Sequence, residues 1–182
     1  MVNLEKATKI GSGCAKIAYQ IDDENVILCS KNNPTTHIQT EFQMIQYLES
    51  FGLPVIHNIQ IVPISHTPTT SSSSLGLLQK YIKNSQLFKP NSFPPVKFSE
   101  HILARLIETY SILSTHRIFI DDFQMLYNDK EIYIIDPSNV YNLDDLSYIG
   151  HYKRRNYYDY VLVKYTAQMR NLKKLLDFNQ TS

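Results

Sequence analysis

The sequence predicts an α+β fold in two lobes. Short β-prone runs crowd its first half, helical periodicities dominate its second, and an Asn-, Ser- and Pro-rich stretch at 83–97 separates them. Three runs, Thr8–Gly11, Lys16–Ile21 and Val26–Lys31, are broken by turn residues, the second break being the acidic turn Asp22–Asn25, as in an antiparallel meander. Phe42, Ile45, Leu48 and Phe51 then recur at a helical period, and Gly52 and Pro54 end a helix expected over about 36–51. Ile59–Ile64 and Leu75–Ile82 read as two more strands, giving five antiparallel strands and one helix. The polar joint His66–Ser74 between them reads as a mobile surface hairpin loop.

Beyond the irregular stretch, Ser99 is a helix N-cap, and Ile102, Leu103, Leu106, Ile107, Tyr110 and Leu113 mark a helix to about Thr115. Ile118–Ile120 is a short apolar run. Met125–Tyr127 and Ile132–Ile135 form a hairpin around Asn128–Glu131, flanked by Asp121-Asp122 and Asp136. Tyr158, Leu162, Tyr165, Met169, Leu172 and Leu176 make the apolar stripe of a final helix, so the second lobe is expected to be reduced and mostly helical. The whole reads as a single domain over 1–182, with a first lobe to about 83, a hinge and linker over about 80–98, and a second lobe over about 99–182.

Composition narrows the function classes. With 182 residues, 43% hydrophobic and 19% charged, the chain is that of a folded globular protein, not a disordered or collagen-like one. A formal charge of +1 supplies no global field for nucleic acid or an anionic membrane. No run is long enough to span a membrane, and the opening residues lack the apolar core of a secretory signal. The expected setting is a cytosol, reached if foreign through a specialised secretion system. Cys14 and Cys29 read as reduced thiols, the six histidines show no ligand spacing, and Lys153-Arg154-Arg155 reads as a solvated helix face. A monomer is expected.

The chemistry-bearing residues come in order along the chain. Gly11-Ser12-Gly13 sits between two strands in a chain with only five glycines, where a missing Cβ lets a phosphate approach backbone amides, although a plain turn explains it equally well. It is neither a Walker A loop nor a dinucleotide fingerprint, since a strand follows. Lys31 ends the third strand, Glu41 lies near the start of the next helix, and an aspartate closes each apolar strand run at 121–122 and 136, where burial demands a partner.

Over about residues 8–140 this order resembles the protein-kinase superfamily, and within it the minimal bacterial effector and toxin kinases. The resemblance implies an ATP- and Mg²⁺-dependent Ser/Thr protein kinase. In it Gly11, Ser12 and Gly13 cover the phosphates, Lys31 pairs with them, Glu41 anchors Lys31, and hinge residues such as Gln79 and Tyr81 meet the adenine. Asp122, or else Asp121, orients the acceptor hydroxyl. Asp136 holds the metal, with Gln124 as the nearest further oxygen donor. Relatives of this type modify a eukaryotic heat-shock chaperone, so a host or competitor protein is the implied substrate.

Departures are plain. His-Arg-Asp is missing, no asparagine stands five residues after either aspartate, Asp-Phe-Gly is replaced by Asp136-Pro137-Ser138, and few residues follow for an activation segment. A pseudokinase scaffold, a small-molecule phosphotransferase, and an adenylylating or glutamylating enzyme are the competing readings of the same pattern.

Overall fold

The structure, a computed structural model, describes residues 1–13, 15–31, 34–66, 75–90, 96–145, 147–150 and 157–181. Two compact units emerge: Met1–Gln43 with Ile56–Ile82, and Met44–Val55 with Lys83–Ser182. The expected loop at 66–74 lies almost wholly outside the described residues, as do Cys14 and the Lys153–Arg155 cluster.

The first unit is built on one sheet. Its strands are β1 (Val2–Asn3), β2 (Thr8–Ser12), β3 (Lys16–Gln20), β4 (Asn25–Ser30), β5 (Gln60–His66) and β6 (Leu75–Lys80), in the order β1-β5-β6-β4-β3-β2. The expected five-stranded antiparallel sheet is therefore a six-stranded mixed one, because β1 pairs parallel with β5. Two residues are too few to show alternation, which hid β1 in the sequence. The meander β2–β3–β4 is antiparallel throughout. Leu4, Ile17, Tyr19, Ile27, Cys29 and Ile64 form the core on one face of the sheet. Gly76 is required there, since a Cβ would stand 2.6 Å from Ile27 Cγ2 and 2.7 Å from Ile64 Cδ1. Helix α1 (Pro34–Ser50) belongs to this unit only as far as Gln43 and to the second from Met44; it ends at Gly52, whose φ of 78° suits glycine and whose amide donates to the Glu49 carbonyl at 2.8 Å.

The second unit departs further from expectation. It holds helices α2 (Glu100–Thr115) and α3 (Tyr157–Gln180), but also two three-stranded sheets. One comprises β7 (Gln86–Phe88), β9 (Gln124–Tyr127) and β10 (Ile132–Ile135), and the other β8 (Ile118–Asp121), β11 (Asn139–Asn142) and β12 (Tyr148–Gly150). The mostly helical lobe thus gains strands in places read as irregular. β7, β11 and β12 are short and partly polar, and β7 and β11 pair with strands distant in sequence, so no local pattern announces them. Helix α2 begins where predicted, with the Ser99 hydroxyl accepting from the Ile102 amide and Ile102, Leu106 and Leu113 buried.

Candidate functional site

In the first unit the antiparallel register decides which side chains meet. Lys16 stands opposite Ser30 and Ala18 opposite Leu28, while Ile17 and Cys29 pair one step over, within the core. Side chains alternate along a strand, so Lys16, Ala18, Leu28 and Ser30 share the face away from that core. Position 31 has the parity of Ile27 and Cys29. The expected Lys31–Glu41 contact is accordingly not the one formed. Lys16 Nζ lies 2.6 Å from Glu41 Oε2, with side-chain exposures of 15% and 2%. Lys31 Nζ instead donates to the Gly13 carbonyl at 2.6 Å.

The glycine turn is held from within. The Gly13 amide donates to the Lys16 carbonyl at 2.9 Å, so this amide is committed to the turn. Neither Gly11 nor Gly13 has a positive φ, and a Cβ on Gly13 would meet nothing within 4 Å. The fold therefore does not require glycine at 13, unlike at 76. Ser12 is exposed and pairs with Ile17 at the end of the hairpin. Of the expected hinge residues, Gln79 is buried opposite Val26, on the Lys16 face by parity. The Tyr81 amide donates to the Glu24 carbonyl at 2.6 Å, so this amide is committed within the unit.

In the second unit, β9 and β10 pair with Ile135 opposite Gln124, which puts Asp136 and Asp122 at the same end of one hairpin. Both aspartates have left-handed backbone, with φ of 51° at Asp122 and 50° at Asp136. Asp122 Oδ2 accepts a hydrogen bond from the Gln124 amide nitrogen, leaving the Gln124 carbonyl oxygen as its remaining acceptor. Lys89 Nζ lies 3.2 Å from Asp122 Oδ1. Both partners of that pair are about half exposed, so it is worth only ~0.2–1 kcal/mol.

Asp121 is placed differently. It ends β8 opposite Asn139, accepts from Asn139 Nδ2 at 3.1 Å, and its carbonyl accepts from the Ser138 amide at 3.2 Å. Asn139 in turn accepts from the Tyr148 hydroxyl at 3.1 Å.

A buttress that the sequence did not single out fixes this strand. Buried Gln168 of α3 accepts from the Ile120 amide and donates to the Ile118 carbonyl, both at 3.1 Å. Because β8 is the edge strand of its sheet, the carboxamide acts as a missing neighbour. Lys16 was also overlooked. Its signal was available in its position directly after the glycine turn, but only the register reveals its partner.

Among the described residues no group of three or more His, Cys, Asp or Glu is gathered as a metal cage. Asp136 follows Ile135, which stands opposite Gln124, and a carboxylate and a carboxamide carbonyl are the hard oxygen donors that suit Mg²⁺.

No family model and no curated protein matches the chain. Among solved structures it is similar to a SAICAR synthase, at 10% sequence identity, over 98% of this chain and 93% of that one, with a TM-score of 0.43. The chemistry therefore rests on the residues themselves. No helix among the described residues is long and apolar enough to cross a membrane.

Proposed function

We propose that the chain is an ATP- and Mg²⁺-dependent phosphotransferase acting on a serine or threonine of a protein. The observation that carries this reading is the pair Asp122 and Asp136, both held in left-handed backbone at one end of the β9–β10 hairpin. Only five non-glycine residues have positive φ among those described. Asn58 and Asn84 are of a type that tolerates it, and Arg117 directly follows the α2 C-cap His116. Aspartate tolerates this backbone as asparagine does, so the mark of the site is that two such carboxylates are brought to one end of a single hairpin.

Asp122 has the exposure and the Gln124 hydrogen bond expected of a base. Its carboxylate takes the proton of the acceptor hydroxyl as that oxygen bonds the γ-phosphorus of ATP, whose bond to the β–γ bridging oxygen breaks to release ADP. Asp121, tied to Asn139, positions the strand instead. Asp136 and the Gln124 carbonyl oxygen would hold Mg²⁺, which supplies neutralising charge for the phosphates. Gln79 and the Gly11–Gly13 turn belong to the nucleotide-binding side of the reading.

The test is incubation of the full chain with ATP in a eukaryotic lysate, labelled either at the γ- or the α-phosphate. We expect γ-label on protein, no α-label, and loss of transfer in Asp136→Asn. Transfer of α-label would replace phosphorylation by adenylylation. Nucleotide binding without any transfer would leave a scaffold. The resemblance makes a purified heat-shock chaperone the first defined substrate to try, and delivery into a foreign cytosol the setting in which it would be met.

A further inference from the structure

We infer that Lys16, presented from β3, is the lysine that meets the nucleotide phosphates, and that Lys31 is not. This assignment rests on the ATP-dependent reading above and deepens it. Three observations carry it.

The first is the ion pair. A carboxylate as buried as Glu41 is costly to desolvate unless a cation sits against it, and the cation is Lys16 at 2.6 Å. An ammonium has three donors, so one lysine can meet a carboxylate and phosphate oxygens together. Its 15% exposure leaves the Lys16 side chain reachable, whereas Glu41 is closed off.

The second is parity. Lys16 and Ser30 are cross-strand neighbours on the face opposite the core cluster. A lysine reaching this face from β4 would have to stand at Ser30, and that place is held by a buried serine. Lys16 supplies the ammonium from the strand beside it. Lys31 falls one residue later, with the parity of the core residues Ile27 and Cys29, and its ammonium reaches the Gly13 carbonyl at 2.6 Å.

The third is what else the face offers. From Lys16 the paired rows run through Ala18 and Leu28 to Gln20, Val26 and Gln79. Four residues of strand span about 13 Å. A cation at one end, aliphatic side chains between and a carboxamide beyond match the length and polarity sequence of a nucleoside polyphosphate, with phosphates at Lys16 and base over Ala18 and Leu28.

The experiment is calorimetric titration of the full chain with Mg-ATP and, separately, with adenosine, on wild type, Lys16→Ala, Lys31→Ala and the double variant Lys16→Ala/Ser30→Lys. Lys16→Ala alone leaves the Glu41 carboxylate without its cation and destabilises the unit. The double variant is therefore decisive, since it returns an ammonium to the same face in the space that Lys16 vacates. Thermal melts identify the folded variants.

We expect Lys16→Ala to weaken Mg-ATP about tenfold or more, as loss of a charged hydrogen bond does, with adenosine affinity nearly unchanged. Lys31→Ala should stay within about twofold, and the double variant should recover most of the loss. The assignment is overturned if Lys31→Ala carries the loss, or if a folded double variant recovers nothing. It is equally overturned if adenosine weakens as much as ATP. Wild type that binds no nucleotide at all would bring down the ATP-dependent reading as well. Binding that ignores both lysines would sink this assignment alone.

Discussion

Asp136 closes an apolar strand with φ at 50°, and Asp122 opens the paired strand's approach with φ at 51°. Replacing either carboxylate by its amide keeps size and backbone preference, so stability should hold while transfer fails. We expect Asp122→Asn to lower the labelling rate about 10²–10⁴-fold, the range for loss of a general base, with the melting temperature nearly unchanged. The glycines offer the opposite contrast. Gly76→Ala should cost about 1–3 kcal/mol in chemical denaturation, because its Cβ would drive into Ile27 and Ile64. Gly13→Ala should leave stability nearly unchanged, since open space surrounds the position. Residue types at the site were legible in the sequence; the pairing of Glu41 was not. Val26-Ile27-Leu28-Cys29 is apolar without alternation, so nothing local says which face each side chain takes or that Lys31 falls on the wrong one. Only the Lys16–Ser30 register settles it.

Elements with punctuation were the most readable. Ser99 and Gly52 mark their helix ends as capping chemistry requires, and the hairpin about Asn128–Glu131 pairs as the two apolar runs predicted. Ser99→Ala should cost about 1 kcal/mol, measured by urea unfolding. Unpunctuated elements escaped. β11 is wholly buried yet reads Asn-Val-Tyr-Asn, its asparagines being bonded to Asp121, Tyr148 and Tyr47 rather than to water. Gln168 escaped for the same reason, a polar residue among the apolar positions of α3. Gln168→Leu strands the Ile120 amide and the Ile118 carbonyl, and should destabilise by about 2–4 kcal/mol. In the β3–β4 turn, hydrogen bonds from the Asn25 side chain and the Glu24 amide hold the Asp22 carboxyl below its ordinary 3.8. The folded state therefore releases that proton more readily. The stabilisation is full above about pH 4 and is lost as the pH falls below it, so Asp22→Asn should flatten the acid limb of a melting profile.

For the molecule as a whole, thiol chemistry reports on the fold of the first unit. Cys29 is buried in the core, and burial pushes its thiol up to about 11 from 9.0. In a Cys14→Ser background the native chain should resist alkylation at pH 8 and react promptly once unfolded. The sign of the linkage follows, since the folded thiol keeps its proton where the unfolded one loses it. This contribution is intact below about pH 9 and disappears as the pH rises towards 11.

The chain leaving Asp136 is bound back at once: the Ser138 amide goes to the Asp121 carbonyl, and Asn139 enters β11 opposite Asp121. The acidic end of the hairpin is thus set by the pairing that folds the unit, with no slack segment there to swing a carboxylate out of place. Under the proposed phosphotransfer, phosphatase treatment before assay should leave the labelling rate unchanged, and the rate should rise in proportion to the protein added.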